Sequence, residues 1–227
     1  MATFERDARG YPGVQPASLA GRGLTRGLRL VLAASILVAF RALGQEDDPS
    51  WRIGAEFGTG KQQFHPIFHD YSYRHDVTGY KFLLNRRLSP FGTFGWELQI
   101  EPSFYAAHQQ LLNPYDTSPA TRARYTSGEV VREYVINPGI LGRYNPTPRF
   151  SLFFLLSVGP AWIDTATERL AKGFAFSDIL AGGVGLRFGR ALVEFRPGLR
   201  HVSNLYTQKP NHGYNSGTFD LALSIYL

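Results

Sequence analysis

"TFGWELQIEPSFYAA", residues 93–107, alternates with a period of two. Phe94, Trp96, Leu98, Ile100 and Phe104 fall on one face, and Glu97, Gln99, Glu101 and Ser103 on the other. Such alternation marks a strand whose two faces meet different surroundings. The pattern recurs at 149–162, where Phe150, Leu152, Phe154, Leu156, Val158 and Trp162 share a face opposite Ser151, Ser157 and Gly159. It returns at the C-terminus, where Phe219, Leu221, Leu223, Ile225 and Leu227 oppose Asp220, Ala222 and Ser224.

Working outward gives eight such segments: 51–59, 77–88, 93–107, 129–143, 149–162, 176–188, 191–204 and 215–227. The connections alternate in length. Residues 89–92, 144–148 and 189–190 are short turns, whereas 60–76, 108–128, 163–175 and 205–214 are longer, polar and aromatic. No amphipathic helix of useful length intervenes. Even strand number, short turns at one end and long loops at the other predict an all-β fold, an eight-stranded antiparallel transmembrane β-barrel of the outer membrane. Trp51, Tyr80, Trp96, Tyr144, Phe150 and Trp162 suit its interfacial girdles.

The polar rows carry Glu97, Glu101, Arg187, Glu194, Arg196 and Arg200, charges of both signs able to pair across a narrow lumen. Eight strands leave an interior that side chains can fill, so no diffusion pore is expected. A soluble lipid-binding barrel would need the apolar row inside, which the outward row from Phe94 to Phe104 contradicts. Pro102, Pro138, Pro160 and Pro197 fall within strands, where proline removes a ladder bond, and bulges or strand-end kinks are expected there.

Before the barrel, Arg26 and Arg29 precede an apolar run from Leu30 to Phe40, then Ala42-Leu43-Gly44 and an acidic start at Glu46. That order reads as a signal peptide over 1–44, leaving 45–227 as the barrel, although 1–27 is long for its n-region. The run is shorter than the ~20 apolar residues of a membrane-spanning helix. Residues 1–44 hold six arginines and two acids, so four of the six net positive charges leave with them. The remaining charge of about +2 gives no support for nucleic-acid binding. The absence of cysteine rules out disulfides, thiol catalysis and a lipid-anchoring cysteine.

The apolar row of 191–204 ends in two polar residues, His201 and Ser203. His201 is ten residues above Ala191, roughly 33 Å along the strand at ~3.3 Å per residue. A tilt of about 40° turns this into ~25 Å of height, the thickness of the apolar band, so the pair belongs at the outer rim. Residues i and i+2 share a face, as a nucleophile and its general base must. If 191–204 and 215–227 form a hairpin, Asn215 opposes His201 at a Cβ separation of ~4.5–5.5 Å. The plain alternative is a pair of polar caps where a strand leaves the bilayer.

"RHVSNLYTQKPNHGYNS" resembles the lipid A 3-O-deacylases of the PagL family, whose signature is His-x-Ser-Asn, a short loop, then Pro-Asn-x-Gly before the last strand. His201, Ser203, Asn204, Pro210, Asn211 and Gly213 match it. The resemblance implies an eight-stranded outer-membrane barrel, Ser203 as nucleophile and His201 as general base. It makes Asn204, Asn211 and Gly213 residues that shape the site or its oxyanion pocket. The implied partner is lipid A of lipopolysaccharide in the outer leaflet, with no cofactor; a homodimer is compatible with it.

One position departs. The family's glutamate falls on Asn215, which can orient the imidazole but offers no charge. A slower enzyme, an acid supplied by a loop (Asp116, Asp164 or Glu168) and a lost activity all remain open. In the last case the chain is a non-catalytic small barrel with a structural role, or one whose loops 60–76 and 108–128 bind a partner. The histidines of "HPIFHDYSYRH", namely His65, His69 and His75, read as solvated loop residues beside Asp70 rather than as a metal site. "AGGVGLRFG" (181–189) lacks the strand-to-helix context of a phosphate loop and reads as small residues lining a crowded lumen.

Overall fold

The computed structural model describes residues 50–227 apart from 65, 68, 69, 90, 91, 114, 116 and 117. The expected leader, with His65, His69 and Asp116, lies outside the described residues. Eight strands run in order: β1 (Trp51–Lys61), β2 (Tyr73–Arg87), β3 (Phe94–Leu111), β4 (Glu129–Tyr144), β5 (Phe150–Ile163), β6 (Gly173–Phe188), β7 (Ala191–Ser203) and β8 (Tyr214–Tyr226). Each pairs antiparallel with the next, and β8 returns to β1, closing the barrel. Closure leaves no edge of unpaired backbone groups, which hydrocarbon could not satisfy. Short turns sit at one end, where Gly189 takes φ 61° in the two-residue connection to β7. The β3–β4 loop carries a two-turn helix, α1 (Pro119–Tyr125), capped by Ser118 through the Thr121 amide.

Burial alternates along the strands with the polarity of a membrane barrel. In β5, Phe154, Leu156 and Val158 face outward while Ser151, Leu155 and Ser157 face inward. Outward aromatics form an upper belt of successive register partners, Phe57, Tyr80, Phe104, Tyr134, Trp162 and Phe174. A lower cluster joins Trp96 edge-on to Phe94 and Phe154 at centroid distances of 5.3 and 5.5 Å. Leu221, central on β8, is 58% exposed. Its replacement by arginine is expected to destabilise the barrel by about 2–4 kcal/mol in lipid bilayers. Urea titration in vesicles checks this; a change within about 0.5 kcal/mol would mean that this face meets water.

The prolines make neither bulges nor strand-end kinks. Pairing of β2 with β3 jumps from Lys81↔Ser103 to Leu84↔Ile100, opposite Pro102. Pairing of β4 with β5 jumps from Val135↔Ala161 to Gly139↔Ser157, across Pro138 and Pro160. Pairing of β6 with β7 jumps from Ala181↔Gly198 to Val184↔Phe195, beside Pro197. Equal numbers are skipped on both strands each time, so the register resumes unchanged. Each proline stays paired on its other side, as Pro102↔Ile136 and Pro197↔Phe219. An antiparallel residue directs its N–H to one neighbour only, so losing that donor opens one ladder and spares the other.

The lumen is filled in two storeys. Below, Glu194 accepts from Arg52 at 3.0 Å, Arg143 at 2.7 Å and Arg196 at 2.6 Å, and Glu97 bonds Arg52 and Arg143 as well. Lys81 pairs with Glu56, Glu101 and Asp220. Higher up, Arg200 bonds Glu133 and lies over the Tyr105 ring. Above these charges an apolar plug of Tyr73, Val77, Val131, Val135, Ile163, Leu170, Val202 and Tyr214 closes the outer end. Gly183 belongs to the crowded wall, since a Cβ there would meet the Phe195 carbonyl at 2.0 Å. Arg187 ends the inward row at the lower rim, its guanidinium 4.8 Å over the buried Tyr226 ring and its Nε donating to the Gly189 carbonyl.

β2 starts at Tyr73 rather than at 77, which carries His75 into the barrel. It is fully buried, bonded to Gln109 Oε1 at 2.9 Å and stacked on Tyr214 at 4.5 Å. The expectation of a solvated loop histidine is corrected here. A polar inward residue extends a strand when the opposite lumen wall supplies its partners, information that local sequence lacks.

Candidate active site

β7 directs His201 and Ser203 outward from its upper end, and the register pairs His201 with Asn215 of β8. The His201 Nδ1 lies 2.8 Å from Asn215 Oδ1. An amide oxygen only accepts, so Nδ1 carries the proton and Nε2 is left as the basic nitrogen. His201 is half-buried and Ser203 is 8% exposed, a hydroxyl sheltered from bulk water.

Gly213 fits between the two. Its φ is 67°, and a Cβ there would sit 3.0 Å from His201 Cε1, 3.5 Å from Ser203 Cβ and 2.7 Å from the Val202 carbonyl. Both the backbone conformation and the space call for glycine. The Gly213 carbonyl accepts from Arg169 Nε at 2.8 Å; Arg169 also pairs with Asp70 at 2.9 Å and lies 4.0 Å over the Tyr73 ring. This bracket ties the site to the neighbouring loops. Gly213→Ala is expected to destabilise the barrel by about 1–3 kcal/mol, the scale of a non-glycine residue held at a strained, positive φ. Urea titration in vesicles checks it, and a change within about 0.5 kcal/mol would mean that the contact is slack.

The loop after Ser203 is held by its own amides. The Asn204 N–H donates to Asn211 Oδ1 at 2.8 Å, and Asn204 Nδ2 donates to the Gln208 and Pro210 carbonyls. Leu205 and Tyr206 adopt φ of 51° and 62°, a costly pair for non-glycine residues that these bonds hold in place. Both side chains are thrust outward, at 63% and 80% exposure. Asn204 thus shapes the loop with its donors engaged, and Asn211 does so through its accepting Oδ1.

Below the rim lies an outward groove of about 880 Å³ that runs over β4, β5, β6 and β7. Leu98, Ile140, Leu156, Val158, Leu180 and Leu199 line it, and His201 and Asn215 stand at its polar end. Pro138 and Val158, also in its wall, flank the gap between the β4 and β5 ladders. Its size lies within the range of small-ligand sites, and its lining suits a hydrocarbon chain.

A family model described as lipid A 3-O-deacylase (PagL) matches residues 92–224, more than half of the chain. The chain belongs to that family. The matched span includes every residue of the rim site from His201 to Asn215. No curated protein matches the sequence. Among solved structures, the outer membrane enzyme PagL is similar at 15% identity, covering 78% of this chain and 99% of that one, with a TM-score of 0.43. Neisserial surface protein A is similar at 11% identity, covering 78% and 97%, with a TM-score of 0.44. The attachment invasion locus protein Ail of Yersinia pestis is similar at 13% identity, covering 81% and 100%, with a TM-score of 0.36.

For the loop acids expected as substitutes, the geometry offers other duties. Asp164 accepts from the Arg132 amide at 2.8 Å and pairs with its guanidinium, while Glu168 accepts from Gln109 Nε2. Although burial opposes it, hydrogen bonds from Arg132 and Thr165 hold the Asp164 carboxyl below its ordinary range. Sequence reasoning missed Arg169, Tyr73 and Asp178. Asp178 lines the groove and is the register partner of His201 on β6. Its signal was an acid within the outward row Phe174, Phe176, Asp178, Leu180 of "GFAFSDILAG".

Proposed function

We propose that this member of the PagL family is an outer-membrane esterase that removes an ester-linked, 3-O acyl chain from lipid A by a Ser203/His201 mechanism. The observation that carries the reading is the His201–Asn215 bond, which leaves a basic Nε2 on the face that bears Ser203, above an apolar groove. Nε2 takes the Ser203 proton as the hydroxyl oxygen attacks the ester carbonyl carbon. The tetrahedral oxyanion collapses, the bond from the acyl carbon to the sugar oxygen breaks, and His201 gives its proton to that departing oxygen, which leaves as a hydroxyl. Water, deprotonated by His201, then hydrolyses the acyl-enzyme and frees the fatty acid. The groove takes the acyl chain sideways from the outer leaflet. Asn204, Asn211 and Gly213 keep the loop in the shape that this requires.

Mass spectrometry of lipid A tests the reading. A host of known lipid A acylation expressing the wild-type barrel is expected to lose one ester-linked acyl chain, and the Ser203→Ala strain to retain it. Unchanged lipid A with folded wild-type protein in the outer membrane would sink the proposal and leave the structural barrel in its place.

A further inference from the structure

Asn215 holds the imidazole but carries no charge, so an imidazolium formed during catalysis has no counter-charge on the β8 side. The cross-strand register shows where one stands. His201 is flanked across the ladders by Asn215 on β8 and by Asp178 on β6. Directly opposed residues have Cβ atoms ~4.5–5.5 Å apart, so the Asp178 carboxylate is within reach of the imidazole by side-chain rotation. Both residues border the same groove.

Asp178 is an anomaly on any other account. It is half-buried in an outward row between Phe176 and Leu180. Among the described residues no hydrogen bond or ion pair engages its carboxylate. Asp76, the other outward carboxylate on a described strand, is paired with Arg74. An unpartnered carboxylate at a lipid-facing level costs free energy and gives the fold nothing. Such a group is kept for function when a neighbouring side chain gains positive charge during a reaction.

We infer that Asp178 is a positioning residue of the esterase site, a carboxylate from β6 that supplies the imidazolium of His201 with the negative charge that Asn215 cannot. The division of labour follows from the two registers: Asn215 fixes the tautomer through Nδ1, and Asp178 balances the charge when Nε2 has taken the Ser203 proton. No loop acid is then needed. The inference rests on the esterase reading above.

The test is acyl release from lipid A in mixed detergent micelles, measured as kcat and KM on refolded wild type, Asp178→Asn, Asp178→Glu, Asn215→Glu and the double variant Asp178→Asn/Asn215→Glu. Asp178→Asn is expected to lower kcat about 10- to 100-fold with KM little changed. That is less than the ~10⁴ of triads in which the acid also sets the tautomer, because Asn215 still sets it here. Asp178→Glu should recover most of the loss. In the Asn215→Glu background, where a charge stands on the other side, Asp178→Asn should cost less than about threefold, the non-additivity expected of two groups serving one imidazole. Misfolding does not mimic this result, since removing an unpartnered carboxylate from the outer face does not weaken the barrel. Two results overturn the inference: a kcat for Asp178→Asn within twofold of wild type, or an equal loss in both backgrounds. An inert wild type overturns the esterase reading itself, and the inference with it.

Discussion

Ser203→Ala is expected to lower acyl release by about 10³-fold or more while leaving the barrel folded, the scale seen when a nucleophile is removed from a serine hydrolase site. In the proposed mechanism the hydroxyl oxygen forms the acyl-enzyme, and no described neighbour on that face can replace it: Gly213 has no side chain, and Asn215 is an amide bonded to His201. Stability should change little, because among the described residues no hydrogen bond engages the Ser203 hydroxyl. His201→Ala should fall nearly as far, and the double variant scarcely further, since the two act as one unit. Activity of Ser203→Ala within tenfold of wild type would rule out a serine nucleophile. Water attack promoted by His201 alone would then be the mechanism to examine.

The second large effect concerns stability. Glu194 is fully buried and accepts from three arginines on three different strands, β1, β4 and β7. Glu194→Ala leaves Arg52, Arg143 and Arg196 crowded in the lumen with one carboxylate fewer. The expected loss is about 3–5 kcal/mol, the cost of breaking a buried ion pair from one side. Unfolding by urea in micelles measures it. Glu194→Gln should fall between that variant and wild type, because it keeps an acceptor without the charge. A loss under about 1 kcal/mol for Glu194→Ala would mean that water enters the lower lumen and screens the arginines.

These two variants separate the layers of the molecule. Ser203 stands on the outer face, where the proposed lipid substrate would meet it, and Glu194 in the lumen, where charge pairing fills the space. Strand alternation assigns them to opposite faces of one strand, β7. A one-residue slip of β7 would send Arg196 and Arg200 into lipid and His201 into the lumen. The apolar outward rows and the luminal ion pairs therefore hold the candidate site in register as firmly as any contact at the rim.

Much of this was legible in the sequence. Period-two alternation from Phe94 to Phe104 and from Phe219 to Leu227 follows from strand geometry alone, and the polarity of each row tells which side is solvated by side chains and which by lipid. The eight strands, the alternation of short turns with long loops, and the outward placement of His201 beside Ser203 all follow from that local rule. The spacing of His201, Ser203, Pro210, Asn211 and Gly213 also lies within one hairpin, so its resemblance to the PagL family could be read without any long-range information. Other features depended on partners distant in the chain. His75 joined a strand because Gln109 and Tyr214 line the lumen beside it. The prolines opened single ladders without bulging because the register across each gap is set by the whole barrel. Asp178, 23 positions before His201 in the numbering, became its neighbour only when β6 and β7 paired. Sequence determined which face each side chain takes, because that depends on backbone periodicity. Tertiary structure alone decided which side chains meet across the ladders, because strand register depends on closing all eight strands at once.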